Sequence, residues 1–194
     1  MSRQADVLRQ TLETQIDLAI DLDGSGVFDG TTGIGFMDHM MALLAYHSGM
    51  NMVLKMHGDL EVDDHHSIED LGIALGKAIA LALGNKKGIH RYGNCRLVMD
   101  ESLACVDLDF SGRPYLVFNA ELTREIVGDL STEMVEEFLR ALAFNSGLTL
   151  HVNLEYGKND HHKIEAIFKA LARAMKMAWT IDCDHLVSSK GVLE

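Results

Sequence analysis

Hydrophobic and polar residues alternate along several segments of the chain, and this period of two predicts β-strands. In residues 11–23 one parity holds Leu12, Thr14, Ile16, Leu18 and Ile20, and in residues 50–57 it holds Met50, Met52, Leu54 and Met56. Further strands are predicted over residues 96–110, 115–122 and 148–156.

Four other segments have hydrophobic residues at helical spacing, which predicts helices over residues 38–48, 64–83, 133–145 and 161–179. Gly84 follows the second of these segments and is a typical helix end. Strands and helices in this order predict an α+β fold in which sheets are backed by helices.

A short motif occurs twice. Asp-His-His-x-x-Glu stands at residues 64–69 and again at 160–165, and each copy opens a predicted helix. The flanking sequence matches as well, because Ala-x-x-Ser-Gly precedes both copies, at 45–49 and 143–147. The first copy lies further from its flank, and an insertion of two residues near 59–62 accounts for the difference.

This duplication predicts one domain over residues 1–194, built from two repeats of about 1–92 and 93–194 with pseudo-twofold symmetry. Counting back nine residues from the matched serines gives His39 in the first repeat and Glu137 in the second. A side chain of metal-ligand type therefore stands at the matching place in both halves.

The motifs predict two metal sites. In each motif the first histidine and the glutamate are four residues apart and share a helix face, whereas the second histidine points elsewhere. Two such helices can complete two sites by exchanging their second histidines, with His39 and Glu137 as fourth ligands. One site would then hold His65, Glu69 and His162, and the other would hold His161, Glu165 and His66. Imidazole and carboxylate without thiolate suit Mn, Fe, Co or Zn.

Composition narrows the classes of function. The net charge of −12 argues against nucleic-acid binding through a general basic surface. The three cysteines have no metal-type spacing and suit a reducing compartment. The sequence has no signal-type apolar segment near residue 1 and no apolar run long enough to span a membrane. We therefore expect a cytoplasmic protein that associates with neither nucleic acid nor membrane.

The chain resembles the imidazoleglycerol-phosphate dehydratase family over essentially its whole length. Besides both Asp-His-His motifs, the matching segments are TLET at 11–14, LDGSG at 22–26, FMDHM at 36–40, HRYG at 90–93, SGRP at 111–114 and SSKGVL at 188–193. The resemblance implies a monofunctional hydro-lyase of histidine biosynthesis with a duplicated fold of the ribosomal protein S5 domain 2-like type. It also implies two Mn²⁺ ions per active site, or another divalent transition metal. Finally, it implies a homo-oligomeric shell of about 24 subunits whose sites are shared between subunits.

The implied substrate is imidazoleglycerol phosphate, which loses water to give imidazoleacetol phosphate. The proton to be removed lies on a carbon without an adjacent carbonyl, so an imidazolate bridging two metal ions is the expected source of electrons. The family pattern implies Glu13 as acid or base, acting with His65, Glu69, His161 and Glu165. Many family members carry histidine at the position of Glu137, but a carboxylate can also bind Mn²⁺, so Glu137 stays among the expected ligands.

The resemblance also implies a set of substrate contacts. Cations that stand beside glycines, or on the second motif helix, suit the phosphate, and neighbouring hydroxyls add hydrogen bonds. The expected phosphate contacts are Arg91, Arg113, Lys169, Ser188, Ser189 and Lys190. The expected contacts to the rest of the substrate are Glu13, His47 and the ligands His39, His65, His66, Glu69 and His161.

Two other interpretations fit the metal motifs. A dinuclear metallohydrolase would activate water between its metals and would have no requirement for an imidazole. A non-enzymatic metal-binding shell would have no use for Arg91, Arg113 and Lys190. Inhibition by imidazole or triazole compounds distinguishes the dehydratase from the hydrolase, and the effect of Arg113→Ala distinguishes it from the shell.

Overall fold

The computed structural model describes residues 3–193 and contains two similar series of elements. The first series is β1 (Gln4–Gln10), β2 (Thr14–Asp21), β3 (Phe28–Thr31), α1 (Gly35–Ser48), β4 (Asn51–Gly58) and α2 (His65–Leu83). The second is β5 (Tyr92–Met99), β6 (Ser102–Asp109), β7 (Tyr115–Asn119), β8 (Ile126–Val127), β9 (Leu130–Ser131), α3 (Met134–Ser146), β10 (Thr149–Tyr156) and α4 (Asp160–Trp179).

The two series build sheets of the same topology. The strand orders are β1-β2-β4-β3 and β5-β6-β10-β7. In each sheet the first three strands pair antiparallel with one another, and the last strand runs parallel to the third. The predicted α+β fold of duplicated halves is therefore confirmed. The expectation of one domain with a repeat boundary near residues 92 and 93 stays a prediction.

The helices hold the two halves together, because each long helix packs against the short helix of the other half: α2 against α3, and α4 against α1. Gly72 and Gly76 allow the first pair a close approach, since a Cβ at either glycine would lie 2.7 Å from a carbonyl oxygen of α3. Phe138 of α3 and Phe168 of α4 stack in the core with ring centroids 5.6 Å apart. The first turns of all four helices, which carry the predicted ligands, thus belong to one packed unit.

Several predicted boundaries are wrong. The alternating pattern did not predict β1 or β3, and β2 begins only at Thr14 because the Thr11 hydroxyl accepts the N–H groups of Glu13 and Thr14 and closes a turn. Leu12 consequently lies in solvent instead of on the inner face. The predicted strand 96–110 is a hairpin of two strands, because Asp100 takes a positive φ of 48° in a tight turn.

A connecting segment, residues 120–133, joins β7 to α3 and contains the β8–β9 hairpin. In the first half the chain passes directly from β3 to α1, between Thr31 and Gly35. The Asp129 carboxylate accepts hydrogen bonds from the N–H groups of Gly35 (2.6 Å) and Phe36 (2.9 Å), so the connecting segment caps α1 of the other half.

The same segment also reaches the two motif helices through the aspartate that opens each motif. The Ser131 N–H donates to Asp64 at 2.6 Å, and the N–H groups of Thr123 and Arg124 donate to Asp160, each at 2.7 Å. Lys163 pairs with Asp160 at 2.7 Å in a buried site. The connecting segment therefore ties together the first turns of α1, α2 and α4. Within residues 3–193 no helix has the length and apolar character needed to cross a membrane.

Candidate active site

One compact group of predicted metal ligands forms where α1 meets α4. Its members are His39, His161 and Glu165, whose ligand atoms all lie within 4.8 Å of one another. The Oε2 atom of Glu165 is 3.1 Å from Nε2 of His161 and 3.5 Å from Nε2 of His39. Ligand atoms at about 2.1 Å from a metal ion stand about 3 Å apart when they are adjacent in its shell, so the group fits a transition-metal ion.

Glu165 divides its two oxygen atoms between different partners. Oε2 faces the histidines, whereas Oε1 forms an ion pair with Lys169, one helical turn further along α4. Burial of Glu165 opposes its ionisation, but Lys169 and His39 outweigh that effect and hold the pKa below its usual range. Glu165 is thus held as a carboxylate with one oxygen directed at the two imidazoles. Lys169, predicted to reach the phosphate, contacts Glu165 and Met99 in the structure.

The equivalent positions of the other half lie on α2 and α3. His65 and Glu69 share a face of α2, as predicted, with Nε2 and Oε2 separated by 3.9 Å and both side chains about half exposed. Glu137 lies on α3, which packs against α2, and its carboxylate is 3.6 Å from Nε of Arg140. In the described part of the chain these three side chains do not form a second compact group.

The second histidine of each motif points away from its partner glutamate, as predicted. Nδ1 of His66 is 3.0 Å from Asp59, and Nδ1 of His162 is 2.7 Å from Glu101. Each hydrogen bond raises the pKa of its histidine. Neither histidine joins a compact ligand group within one copy of residues 3–193.

Asp59 and Glu101 were not among the predicted site residues. Both lie in turns, outside the helical periodicity that identified the ligands. The backbone N–H of Asn159 and the ring of His162 hold the pKa of Glu101 well below its usual range. The only sequence signal for them is that each is an acidic residue next to a strand, since Asp59 directly follows β4 and Glu101 directly precedes β6.

Glu13 lies beside His66, in the turn between β1 and β2. Its Oε1 is 3.6 Å from Nε2 of His66, and its side chain is about half exposed. The expectation that Glu13 lies within a strand is wrong, because β2 begins one residue later. Asp100 stands at the corresponding turn of the second half, 3.8 Å from Nε2 of His162.

The cations predicted to bind phosphate meet in a separate cavity of about 310 Å³. Five of the six residues expected at the phosphate line this cavity, namely Arg91, Arg113, Ser188, Ser189 and Lys190. The other lining residues are Tyr92, Ser111, Val192 and Leu193. Arg113 and Lys190 have no ion pair with any residue between 3 and 193.

Arg91 has a different role from the other cations in this cavity. Its Nε and one terminal nitrogen bind the Asp109 carboxylate, at 2.6 and 2.9 Å, and its other terminal nitrogen donates to the Val187 carbonyl at 2.7 Å. The guanidinium therefore ties Val187 to Asp109 of β6, and the Asp109 carboxylate neutralises its positive charge. His47 ends α1 half-buried, and burial together with Lys169 and Arg173 lowers its pKa.

Residues 32–175 match the family model described as imidazoleglycerol-phosphate dehydratase. The chain belongs to this family. It is 54% identical over 194 residues to the imidazoleglycerol-phosphate dehydratase of Clostridium novyi (strain NT), covering 99% of both chains. It is 55% identical to that of Heliobacterium modesticaldum, covering 98% of this chain and 100% of the relative.

Solved structures of the family have the same fold. The crystal structure of the dehydratase from Staphylococcus aureus matches with a TM-score of 0.84 at 43% identity, over 92% of this chain and 99% of that one. The enzyme from Pyrococcus furiosus, in complex with (S)-C348, matches with a TM-score of 0.85 at 32% identity, over 96% of this chain and all of that one. The expectation of a hydro-lyase is confirmed, and the family supports the expected step in histidine biosynthesis. Membership of this family favours neither the metallohydrolase nor the non-enzymatic shell.

Proposed function

We propose that this chain dehydrates imidazoleglycerol phosphate to imidazoleacetol phosphate, using two divalent metal ions, Mn²⁺ by preference. The observation that supports this most directly is the group formed by His39, His161 and Glu165, since it lies on the motif that the chain shares with its family. When bound, the metal ions would act as Lewis acids that stabilise the anionic form of the substrate imidazole between them.

The ligand sets follow the symmetry of the two halves. His39, His161 and Glu165 would hold one ion, and Glu137, His65 and Glu69, at the equivalent positions, would hold the other. His66 and His162 would complete these sets from another copy of the chain, because neither joins a compact ligand group within residues 3–193 of one copy. The proposed enzyme is therefore a homo-oligomer with shared sites, and about 24 subunits is the size its family resemblance supports.

The proposed proton transfer falls to Glu13. Its carboxylate is exposed and lies beside His66, so a substrate ring bound at the histidines would leave the adjacent carbon within its reach. The phosphate would bind Arg113 and Lys190, with hydrogen bonds from Ser188 and Ser189, which all line the same cavity. His47 and Lys169 would lie along the path between the metal group and the remainder of the substrate.

A cytoplasmic location is part of the proposal. Cys95, Cys105 and Cys183 are all free thiols, as a reducing compartment would keep them.

The experiment is an assay of the Mn²⁺-loaded protein for imidazoleacetol phosphate, with a chelated sample alongside. Product that depends on metal would support the reaction. A protein that binds metal and assembles but gives no product would refute it. Inhibition by triazole compounds is expected as well, because a ring with two ligating nitrogens would occupy the place of the substrate imidazole.

A further inference from the structure

The second histidine of each motif is held by a carboxylate that belongs to neither motif. Nδ1 of His66 lies 3.0 Å from Oδ2 of Asp59, and Nδ1 of His162 lies 2.7 Å from Oε2 of Glu101. In both halves Nδ1 is the hydrogen-bonded ring nitrogen. Among the described residues Nε2 has no hydrogen bond, although a carboxylate lies 3.6 Å from it in His66 (Glu13) and 3.8 Å from it in His162 (Asp100).

A carboxylate can only accept a hydrogen bond, so it places the proton of a neutral imidazole on Nδ1. The lone pair of the ring then lies on Nε2, where a metal ion can use it. The hydrogen bond also fixes the rotation of the ring, so that Nε2 has one direction.

The two halves reach this arrangement from different places in the fold. Asp59 directly follows β4, and its counterpart in the repeat is Gly157, since each lies 11 residues after a matched serine. Glu101 instead comes from the turn between β5 and β6. Duplication alone therefore does not explain why both histidines have a carboxylate on Nδ1, whereas a shared requirement of the two sites does.

We propose that Asp59 and Glu101 are positioning residues that fix the tautomer of His66 and His162, so that each presents Nε2 to a metal ion. This inference rests on the proposed function, in which both histidines are ligands. It adds one carboxylate to each site that no part of the repeated motif contains.

Glu101 offers the sharper test, because its two oxygens are already assigned. Oε1 accepts the N–H groups of Lys158 (3.1 Å) and Asn159 (2.8 Å), while Oε2 faces His162. In Glu101→Gln the amide oxygen must stay with the two backbone donors, so the NH₂ group faces Nδ1. That donor requires the lone pair on Nδ1 and moves the ring proton to Nε2, the proposed ligand atom.

The experiment titrates Mn²⁺ into the metal-free, full-length protein and follows free Mn²⁺ by electron paramagnetic resonance. Glu101→Gln is expected to weaken one class of site by about 10–100-fold. Asp59→Ala is expected to weaken the other class by a similar factor. Glu155→Gln is the matched control, because Glu155 is an exposed carboxylate of the same sheet that pairs with Arg96 and with no histidine; this variant should bind Mn²⁺ as wild type does.

Two further measurements separate positioning from general damage. Metal-free Glu101→Gln should still unfold in one cooperative thermal transition, because the hydrogen bonds to the N–H groups of Lys158 and Asn159 remain. In a His162→Ala background, Glu101→Gln should cause no additional loss of affinity, since it acts only through that ring. An equal loss in both backgrounds would overturn the inference.

Different results would refute this inference and the proposed function. Wild-type protein that binds no Mn²⁺ would refute the proposed function and the inference with it. Wild-type affinity in both Glu101→Gln and Asp59→Ala would refute the inference alone.

Discussion

Nε2 of His161 lies 3.1 Å from Oε2 of Glu165, one helical turn further along α4. This separation suits two adjacent ligands of one metal ion. His39 approaches the same oxygen from α1, so the group joins a helix of each half.

Glu165→Gln should lower Mn²⁺ affinity by about 100-fold or more, because the amide oxygen carries no charge and is a weak ligand. Dialysis followed by elemental analysis would measure the metal content. Glu155→Gln is the control, because that exposed carboxylate pairs with Arg96 and belongs to neither proposed ligand set. Unchanged metal content in Glu165→Gln would contradict the proposed ligand set.

Glu137 is the expected ligand that lies on α3, 3.6 Å from Arg140 and outside the compact group of described residues. If it is a ligand, Glu137→Ala should lose one Mn²⁺ ion per chain, whereas Glu137→His should retain it, because imidazole suits the same metal. Metal content of the two variants, measured at one protein concentration, tests this. Full occupancy in Glu137→Ala would remove Glu137 from the ligand set.

Assembly should depend on metal, because ligands from different subunits would meet at each ion. Removal of metal with a chelator should convert the large particle to smaller species, and addition of Mn²⁺ should restore it. Light scattering coupled to size-exclusion chromatography would report the mass. A large particle that survives complete removal of metal would contradict sharing of the sites as the basis of assembly.

Arg113→Ala should raise KM by about 10–100-fold, since a charge-assisted hydrogen bond to phosphate contributes about 1.5–3 kcal/mol. Metal content should be unchanged, because Arg113 lies in the separate cavity with Ser188 and Lys190. Arg96→Ala, on an exposed position of the same half, is the matched control. Steady-state kinetics measures KM. An unchanged KM in Arg113→Ala would show that Arg113 does not bind the phosphate.

Asp129→Asn should destabilise the protein by about 1 kcal/mol through loss of a charged cap on α1. Burial opposes ionisation of Asp129, but the N–H groups of Phe36 and Gly35 outweigh it and lower its pKa below the ordinary 3.8. A lowered pKa stabilises the folded state above the unfolded value, and the benefit is lost as pH falls through the folded value. The difference from wild type in urea unfolding should thus be full at neutral pH and shrink below about pH 4. A difference that grows in acid would contradict this.

Sequence spacing predicts the contact between His161 and Glu165 because its geometry is local. Positions four apart on a helix must share a face, so His161 and Glu165 were paired correctly from spacing alone. His39 needed the repeat, since its contact with α4 spans more than a hundred residues. Asp59 and Glu101 lie in turns, where side-chain direction depends on backbone angles that periodicity does not contain.

The same reasoning explains the errors in the fold. Alternation treats residue 12 as part of a strand, whereas hydrogen bonds to the Thr11 hydroxyl fold the chain back at that point. The chain reverses direction within the predicted strand 96–110, but the two-residue turn at Asp100 barely interrupts the alternation of apolar and polar residues. Short turns are therefore where the pattern of apolar residues was least informative.

The connecting segment makes the two halves impossible to interchange. A chimaera built from two copies of residues 3–91 would keep both sheets and all four helices, yet Asp129 and the donors at Thr123, Arg124 and Ser131 would be missing from both. Its helices could still pack, but it would lack the hydrogen bonds that in this protein fix the first turns of α1, α2 and α4 relative to one another. The duplication thus gave two halves of the same topology, and the connecting segment, which only the second half contains, makes the pair asymmetric.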